Sequence, residues 1–453
     1  MSGSFAGLVT ASQSLAAQRY ALEVTGQNIA NASTAGYTRQ RADLSTVGTV
    51  GNVPTMYATQ GGISTGGVKV SSVSRLNDVV LDARVRTEHD KNSYASTAAD
   101  QLSGVQTLFD EPSDNGLAEQ LSNMWKSFTA VSTNPGDSSA RSVVLQNAAT
   151  VASTLNTTAS ALNDLQNSAT AELNQTVTDI NTMASSLAQV NAAISIGKAT
   201  GVDTNSLADQ RDQLLLKLSD AAGAQASLQP DGSATVTLGG QTLVTGNTAS
   251  TVAVSGTSLT VGGAAASTAG GKAQGLVDAL STTYPNYQAK LDAVAQAVAT
   301  TANTAHQAGY DLSGNPGGPL FSGTTAATIS VAITDPSKIA ASSTPGGNLG
   351  GDNANAMASL GTSAGSAGPD AVYSNLVTTL GSDVQRATQS AGVQASVTTA
   401  VDAQQQSVAG VSYDEETANM LTFQRAYQAS SRVLTTVDDM LDTLINRTGK
   451  VGL

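Results

Sequence analysis

The sequence contains no cysteine, which excludes disulfides, thiolate metal sites and cysteine nucleophiles together and leaves the compartment unreadable from redox chemistry. Histidine is scarce: only His89 and His306 occur in 453 residues. A catalytic zinc takes three protein ligands, so two histidines without a thiol supply it poorly. Aromatics make up 4% and charged residues 12%. Alanine, serine, threonine and glycine stand in their place, so any core is thin and built from small side chains, which suits elongated helical packing. No apolar run approaches the ~20 residues of a transmembrane helix. The N-terminal stretch has no basic region before Arg19, so a cleavable secretory signal is not visible. No membrane insertion is expected, and the chain reads as cytoplasmic or exported by a route without a cleaved signal. The net charge of -13 argues against nucleic-acid and anionic-membrane partners, both of which need Lys/Arg patches.

What is present is periodicity. Met1, Leu8, Leu15, Leu22 and Ile29 recur every seven residues, with Ala11, Gln18 and Thr25 between them, forming an a/d seam. The C-terminal end repeats the pattern through Tyr413, Met420, Phe423, Tyr427, Ser430, Leu434, Val437, Leu441 and Leu444. Each end predicts a long amphipathic helix with a narrow apolar stripe. Such a stripe is not buried alone, so the two ends are expected to pair as a coiled coil, with Leu8, Leu15, Leu22 and Ile29 against Leu434, Val437, Leu441 and Leu444.

Between the ends the patterning changes twice. Leu121, Trp125 and Phe128 share one helical face, "STNPGD" breaks that helix, and Ala169, Leu173, Thr176, Ile180, Met183, Leu187, Val190 and Ile194 form a third heptad run. "NSLADQRDQLLLKLSD" opens at Asn205 or Ser206, with Asp209 and Asp212 placed to complement the helix dipole. Residues ~100 to 222 are therefore expected to form a bundle of a few helices joined by short turns. From 223 to 272, Val/Leu alternates with Thr/Ser, Gly pairs punctuate, and Asp231-Gly232 marks a tight turn, which predicts β-hairpins. Helical patterning then resumes, and "ATISVAI" supplies one strand before the Asp335-Pro336 turn. Residues 41–88 are expected to be extended, with "GGVKVSSV" as a strand, and residues 341–370 to form a surface loop. The fold class is mainly α with a small β insertion. The expected divisions are 1–40 with 405–453 as the coiled coil, 41–88 as connector, 89–222 with 273–404 as the helical domain, and 223–272 as a β domain.

The search for chemistry returns little. His89 lies in the charged run "RTEHDKN" and reads as solvated. His306 lies near Asp311, which can be drawn as an acid-base or metal pair, but a helix C-terminus with His306 on the dipole, Gly309 as cap and Asp311 opening a turn is the better reading. No G-x-S-x-G elbow, Walker A loop or HExxH helix is present. "DNANAM" at 352–357 lacks the Gly and Glu of a calcium loop and suits a helix N-cap at Asp352 or Asn353. No catalytic residue and no cofactor is expected.

Several stretches resemble one family. "SLAAQRYALEVTGQNIANASTAGYTRQ" resembles the N-terminal motif of the flagellar rod, hook and hook-associated axial proteins, and "SYDEETANMLTFQRAYQASSRVLTTVDDMLDTLINRTG" is similar to their C-terminal helix. "WKSFTAVSTNPGDSSARSVVLQNAATVASTLN", "NSLADQRDQLLLKLSD", "GQTLVTG", "HQAGYDLSGNPGGPLF" and "GGDNANAMASL" look like ordered landmarks of the hook-associated members at the hook-filament junction. The resemblance implies a structural subunit of the bacterial flagellum without catalytic activity, forming a layer between hook and filament. It implies export unfolded through the flagellar type III gate and assembly outside the cell. The implied partners are the hook protein, the second hook-filament junction protein, further copies in a ring, and a cytoplasmic export chaperone on residues ~411–446, where Met420, Phe423, Tyr427 and Leu434 are candidate contacts. Rival readings are a hook or rod subunit, which should lack the 100–222 bundle, a wall-cleaving enzyme using His306 and Asp311, and a cytoplasmic coiled-coil scaffold.

In this reading "NIANASTAGYTRQ", residues 28–40, is not an active-site loop. It has no preceding strand and no phosphate-binding glycine spacing. Asn31, Ser33 and Thr34 can bond freed backbone groups where the first helix stops, and Gly36 can take the left-handed conformation. Asn28, Asn31, Tyr37 and Arg39 become candidates for contacts between subunits.

Overall fold

The computed structural model describes residues 2–47, 66–109, 111–266, 270–346 and 349–443. Met1, Leu444 and residues 48–65 of the expected connector lie outside the described residues.

The body is organised on one helix, α4 (Ser138–Thr200), 63 residues long and therefore about 95 Å from end to end. The few helices with short turns expected over ~100–222 are present, and 138–200 is one continuous member of them. Asp137 caps its start by accepting from Ser139 N at 2.8 Å. Gly201, at φ 73, stops it in the left-handed conformation. Between these points a 3-4 spaced stripe of small and branched residues is buried: Val144, Ala148, Val151, Leu155, Ala159 and Leu162, then Ala169, Leu173, Thr176, Ile180, Leu187 and Ile194. The small members let neighbouring elements approach closely, and that is how a chain poor in aromatics fills a core. Against α4 pack α3 (Leu117–Thr133), α5 (Asn205–Ala222), α6 (Gly271–Asp278) and α7 (Tyr284–Gln307). Leu121, Trp125 and Phe128 of α3 are all buried there.

The β insertion consists of an antiparallel four-stranded meander, β3 (Gln225–Leu228), β4 (Ala234–Leu238), β5 (Gln241–Thr245) and β6 (Thr248–Ala249). A three-stranded one follows, β7 (Val252–Ser255), β8 (Ser258–Val261) and β9 (Ala264–Ala266). Their alternating apolar residues, Val236, Leu238, Leu259 and Val261 among them, join the core of the body. The strand expected in "ATISVAI" is shorter: only β11 (Ser330–Val331) pairs, with β10 (Phe321–Ser322).

Several expectations are corrected. Residues 79–88 are helical, because Asp78 accepts from Val80 N and Leu81 N and starts α2 (Val79–Gln106). Residues 341–370 are not simply a surface loop. They hold α8 (Asp352–Ala358), the single turn α9 (Leu360–Ser363) and the start of α10 (Pro369–Ala409). Asn353, Ala354 and Met357 are buried; small polar composition concealed an element held by its neighbours. The N-cap expected at Asp352 or Asn353 is Gly351 instead, and Asp352 is the first residue of α8.

The chain ends form an antiparallel pair, α1 (Ser2–Ala30) and α11 (Tyr413–Asp442), and the antiparallel strands β1 (Gln40–Thr46) and β2 (Val68–Arg75) pack against α1. α10 is unbroken through residue 405, and the chain turns into α11 only at 410–412. Three contacts fix the coil register: Gly7 against Val437, Ser14 Oγ 3.0 Å from Ser430 Oγ, and Asn28 Nδ2 donating to Glu416 Oε2 at 3.0 Å. In each pair the residue numbers add to 444. Gly7, Ser14 and Asn28 share a line on α1, and Ala11, Ala17, Ala21, Val24 and Thr25 are buried beside it. Leu8, Leu15, Leu22 and Ile29 lie half-buried, as do Met420, Phe423, Tyr427, Leu434, Val437 and Leu441 on α11, but the register corrects their expected pairing: Leu434, Val437 and Leu441 stand opposite the first turns of α1 near Leu8, whereas Leu15, Leu22 and Ile29 stand opposite residues near 429, 422 and 415. Tyr413, expected in the stripe, is exposed, because it precedes the point where α1 can reach.

Candidate functional site

The densest polar arrangement ties the coil to itself at the base of the arm. Asn28 is 1% exposed and uses its whole amide. Its oxygen accepts from Tyr37 Oη (2.8 Å) and Gln40 N (3.0 Å), and its nitrogen donates to Gln40 O (2.8 Å) and Glu416 Oε2 (3.0 Å). An amide can make two bonds at each end, and all four are made. Arg39 closes the network: Nε and Nη2 each lie 2.7 Å from Glu416 Oε1, and Nη1 reaches Glu415. Burial works against the Arg39 charge, but the hydrogen bond to Glu415 and the charge of Glu416 outweigh it and raise its pKa. Tyr37 is pushed up to about 12 by burial, with Asp209 and Glu416 adding to the shift. Asn28, Tyr37 and Arg39 thus bond within their own chain, and Asn28 has no surface left for the contact between subunits expected of it. Asn31 returns to Gln27 O and bonds Thr34. Gly36, at φ 76, sits where a Cβ would meet the Gln213 side chain, which itself donates to Ala35 O.

A second set of charges fastens the arm to the body. Arg75 of β2 lies 2.8 Å from Asp209 and 2.7 Å from Asp212 of α5. These two carboxylates, expected to serve the helix dipole, are ion-pair partners instead; Asp209 sits above its ordinary range because burial outweighs Arg75. Between the loop 32–38 and helices α2, α5 and α10 lies a cleft of about 490 Å³. His89 lines it and is not a solvated side chain. Nδ1 is 3.2 Å from Asp220 and Nε2 3.0 Å from Asp402, and these partners raise its pKa to about 9 against the opposing effect of burial, the bond to Asp220 first. Gln394 and Thr398 bond Glu88, and Gln405 bonds Asp82, so α10 rests on α2 mainly through polar side chains. The apolar contact here is small: Leu81, Val85 and Val401, with Leu216 against them.

His306 lies in the last turn of α7, as expected, but it is fully buried. Its Nδ1 donates to Gly318 O (2.7 Å) and its Nε2 accepts from Ala340 N (2.9 Å). Burial lowers its pKa; the ring is neutral, and both nitrogens are occupied by backbone. Asp311 accepts from Ser313 N and Asn315 N and pairs with Lys338, so it does open a turn. The pair therefore holds two loops against the end of α7, with no ring nitrogen left to move a proton. Among the described residues no group of three or more His, Cys, Asp or Glu is placed to hold a metal.

Sequence reasoning missed Glu416 and Arg75. A buried Glu in the first turn of α11 reads as a dipole partner, since three acidic residues occupy that turn, and only the 388-residue closure to Asn28 distinguishes it.

Similarity to known proteins follows the same division. Residues 102–321 match the family model described as the flagellar hook-associated protein FlgK helical domain. Residues 8–38 match that of the flagella basal body rod protein, and 404–447 that of the flagellar basal body rod FlgEFG protein C-terminal. The flagellar hook-associated protein 1 of Bacillus subtilis is 31% identical over the full length of both chains. That of Escherichia coli is 26% identical over 95% of this chain and 98% of its own. In fold, the chain is similar to the flagellar hook junction protein FlgK from Burkholderia pseudomallei, with a TM-score of 0.65 at 21% identity over 72% of this chain and all of the other.

Proposed function

Because the chain belongs to the flagellar hook-associated protein 1 family, we propose that it is a structural, non-catalytic subunit at the hook-filament junction of the bacterial flagellum, assembled through its terminal helices. The observation that carries this reading is the half-covered coil. α1 and α11 meet through small residues, while Leu8, Leu15, Leu22, Ile29, Leu434, Val437 and Leu441 stay half-open and Val9, Tyr20, Leu421, Val433 and Met440 are exposed. A two-helix pair this incompletely buried gains little from its own contacts and is completed by neighbouring copies. The Asn28–Glu416–Arg39 clasp sets how the two helices meet, so each copy presents the same face.

The finer statements belong to the same proposal. The subunit leaves the cell through the flagellar type III gate with its terminal helices unpaired. A cytoplasmic chaperone covers the α11 stripe at Met420, Phe423, Tyr427 and Leu434 before export. Outside, the hook protein and the second junction protein contact it on either side of a ring of its own copies. The buried, backbone-satisfied His306 supports a structural role over a wall-cleaving one.

Deleting residues 411–453 tests the reading. Incorporation at the hook tip and chaperone binding should be lost together, and a truncated chain that still assembled would overturn it.

A further inference from the structure

The cleft of about 490 Å³ at the base of the arm is lined by charged side chains that are already engaged. Arg75 pairs with Asp209 and Asp212, His89 with Asp220 and Asp402, and Asp82 accepts from Asn77 and Gln405. Arg86 of α2 lines the same cleft and differs from them. Among the described residues its guanidinium has no hydrogen-bond or ion-pair partner. Arg84, Arg425 and Arg432 make none either, but all three are exposed, whereas Arg86 is half-buried.

Burial lowers the pKa of Arg86, with the charges of Asp212 and Asp82 only partly opposing it and Arg211 adding to it. Arg141 is lowered by burial too, but its N–H groups are taken by the carbonyls of Pro135, Pro336 and Ile339. Arg86 is thus a shielded cation whose fork of donors faces an open cleft. A desolvated charge is costly when uncompensated, and a planar guanidinium matches one carboxylate through two parallel bonds.

The other walls narrow the ligand. Val85 and Leu216 supply apolar surface beside Arg86, and the cleft falls within the roughly 300–1,000 Å³ of small-molecule sites. Asp82, Asp212 and Asp402 also line it, so a doubly charged anion meets twice the repulsion that a single charge does.

We propose that this cleft binds a monocarboxylate with an apolar body, the carboxylate on the Arg86 guanidinium and the body against Val85 and Leu216. A free short-chain acid and a glutamate side chain of a second copy share that chemistry.

The test uses the full chain, methyl-labelled, titrated at fixed ionic strength with hexanoate, 1-hexanol and inorganic phosphate. Hexanoate should produce saturable shifts at the Val85 and Leu216 methyls, and the other two probes none. Arg86→Gln should remove the hexanoate shifts, and Arg86→Lys, which loses the paired donors, should weaken hexanoate about tenfold. An unchanged Val401 methyl signal in these variants shows that the contact of α2 with α10 survives. Ser33→Trp, at an exposed position lining the cleft, should block hexanoate with Arg86 intact. If a second copy supplies the carboxylate, the same methyls shift as chain concentration rises and hexanoate reverses the shift; if a free acid does, they do not respond to concentration. Equal binding of 1-hexanol or phosphate, no saturable shift with hexanoate, or unchanged hexanoate affinity in Arg86→Gln or Ser33→Trp would each overturn the proposal.

Discussion

Replacing His306 with alanine separates a structural from a catalytic role at the one place where a reaction could be drawn. The ring is fully buried, with Gly318 O on one nitrogen and Ala340 N on the other. Truncation leaves one carbonyl and one N–H buried without partners, at about 1–3 kcal/mol each, and the void left by the ring adds about 2 kcal/mol. The sum, about 4–8 kcal/mol, rivals the whole stability of an ordinary domain. Trp125 is the single tryptophan and lies in the same core, so its fluorescence in a urea titration reads the loss directly. His306→Asn keeps a donor for Gly318 and should recover part of the stability. The pH dependence has a definite sign. Burial lowers the folded-state pKa below the ordinary 6.5, so the contribution of the neutral ring is present above 6.5 and is lost as pH falls below it. Stability and motility should fall together in His306→Ala. An unchanged urea midpoint would refute the packing argument, and lost motility with unchanged stability would return His306 to chemistry.

Other outcomes follow from the arm and its joint. Glu416→Ala strands Arg39 and Asn28 in a site where Glu416 is 2% exposed and should cost about 2–3 kcal/mol, since Arg39 keeps Glu415. Glu415→Ala, whose side chain is 63% exposed, should cost at most about 0.5 kcal/mol; hydrogen exchange at the facing ends of α1 and α11 compares them. His89 is raised to about 9 from 6.5, so its contribution is complete below pH 6.5 and disappears as pH rises through 9. Because Asp220 and Asp402 are more than a third exposed, the alkaline loss should be only about 1 kcal/mol, and His89→Gln should flatten that limb of the urea midpoint against pH. Leu441→Asp puts a carboxylate into the half-open coil face and should abolish incorporation at the hook tip while leaving Trp125 fluorescence unchanged.

The helical body and the terminal pair were legible because their signals are local. Heptads at 8–29, 169–194 and 413–441 and hairpin turns near 231 need only neighbours a few residues apart. α4 as a single rod was not legible, since its first half buries Ala148, Ala152 and Ala159 among Asn, Ser and Thr, which weakens the periodic contrast. The clasp was half legible. Asn28, Tyr37 and Arg39 stood out as a motif, but their partner Glu416 is 377 or more residues away, so interactions within the chain were assigned to neighbouring subunits. The same holds for His89, Asp209 and Asp212: each looked like a solvated or dipole-facing charge until distant segments supplied the counter-charge. The 341–370 stretch misled through composition, as Asn353 is buried by donating to Ala340 O.

The most direct test of the central claim is deletion of the gene followed by electron microscopy of the hooks and assay of the medium for flagellin. A structural junction subunit predicts complete hooks without filaments and flagellin shed into the medium, both reversed by the full chain but not by the chain lacking 411–453. Normal filaments on the deletion strain would contradict the account.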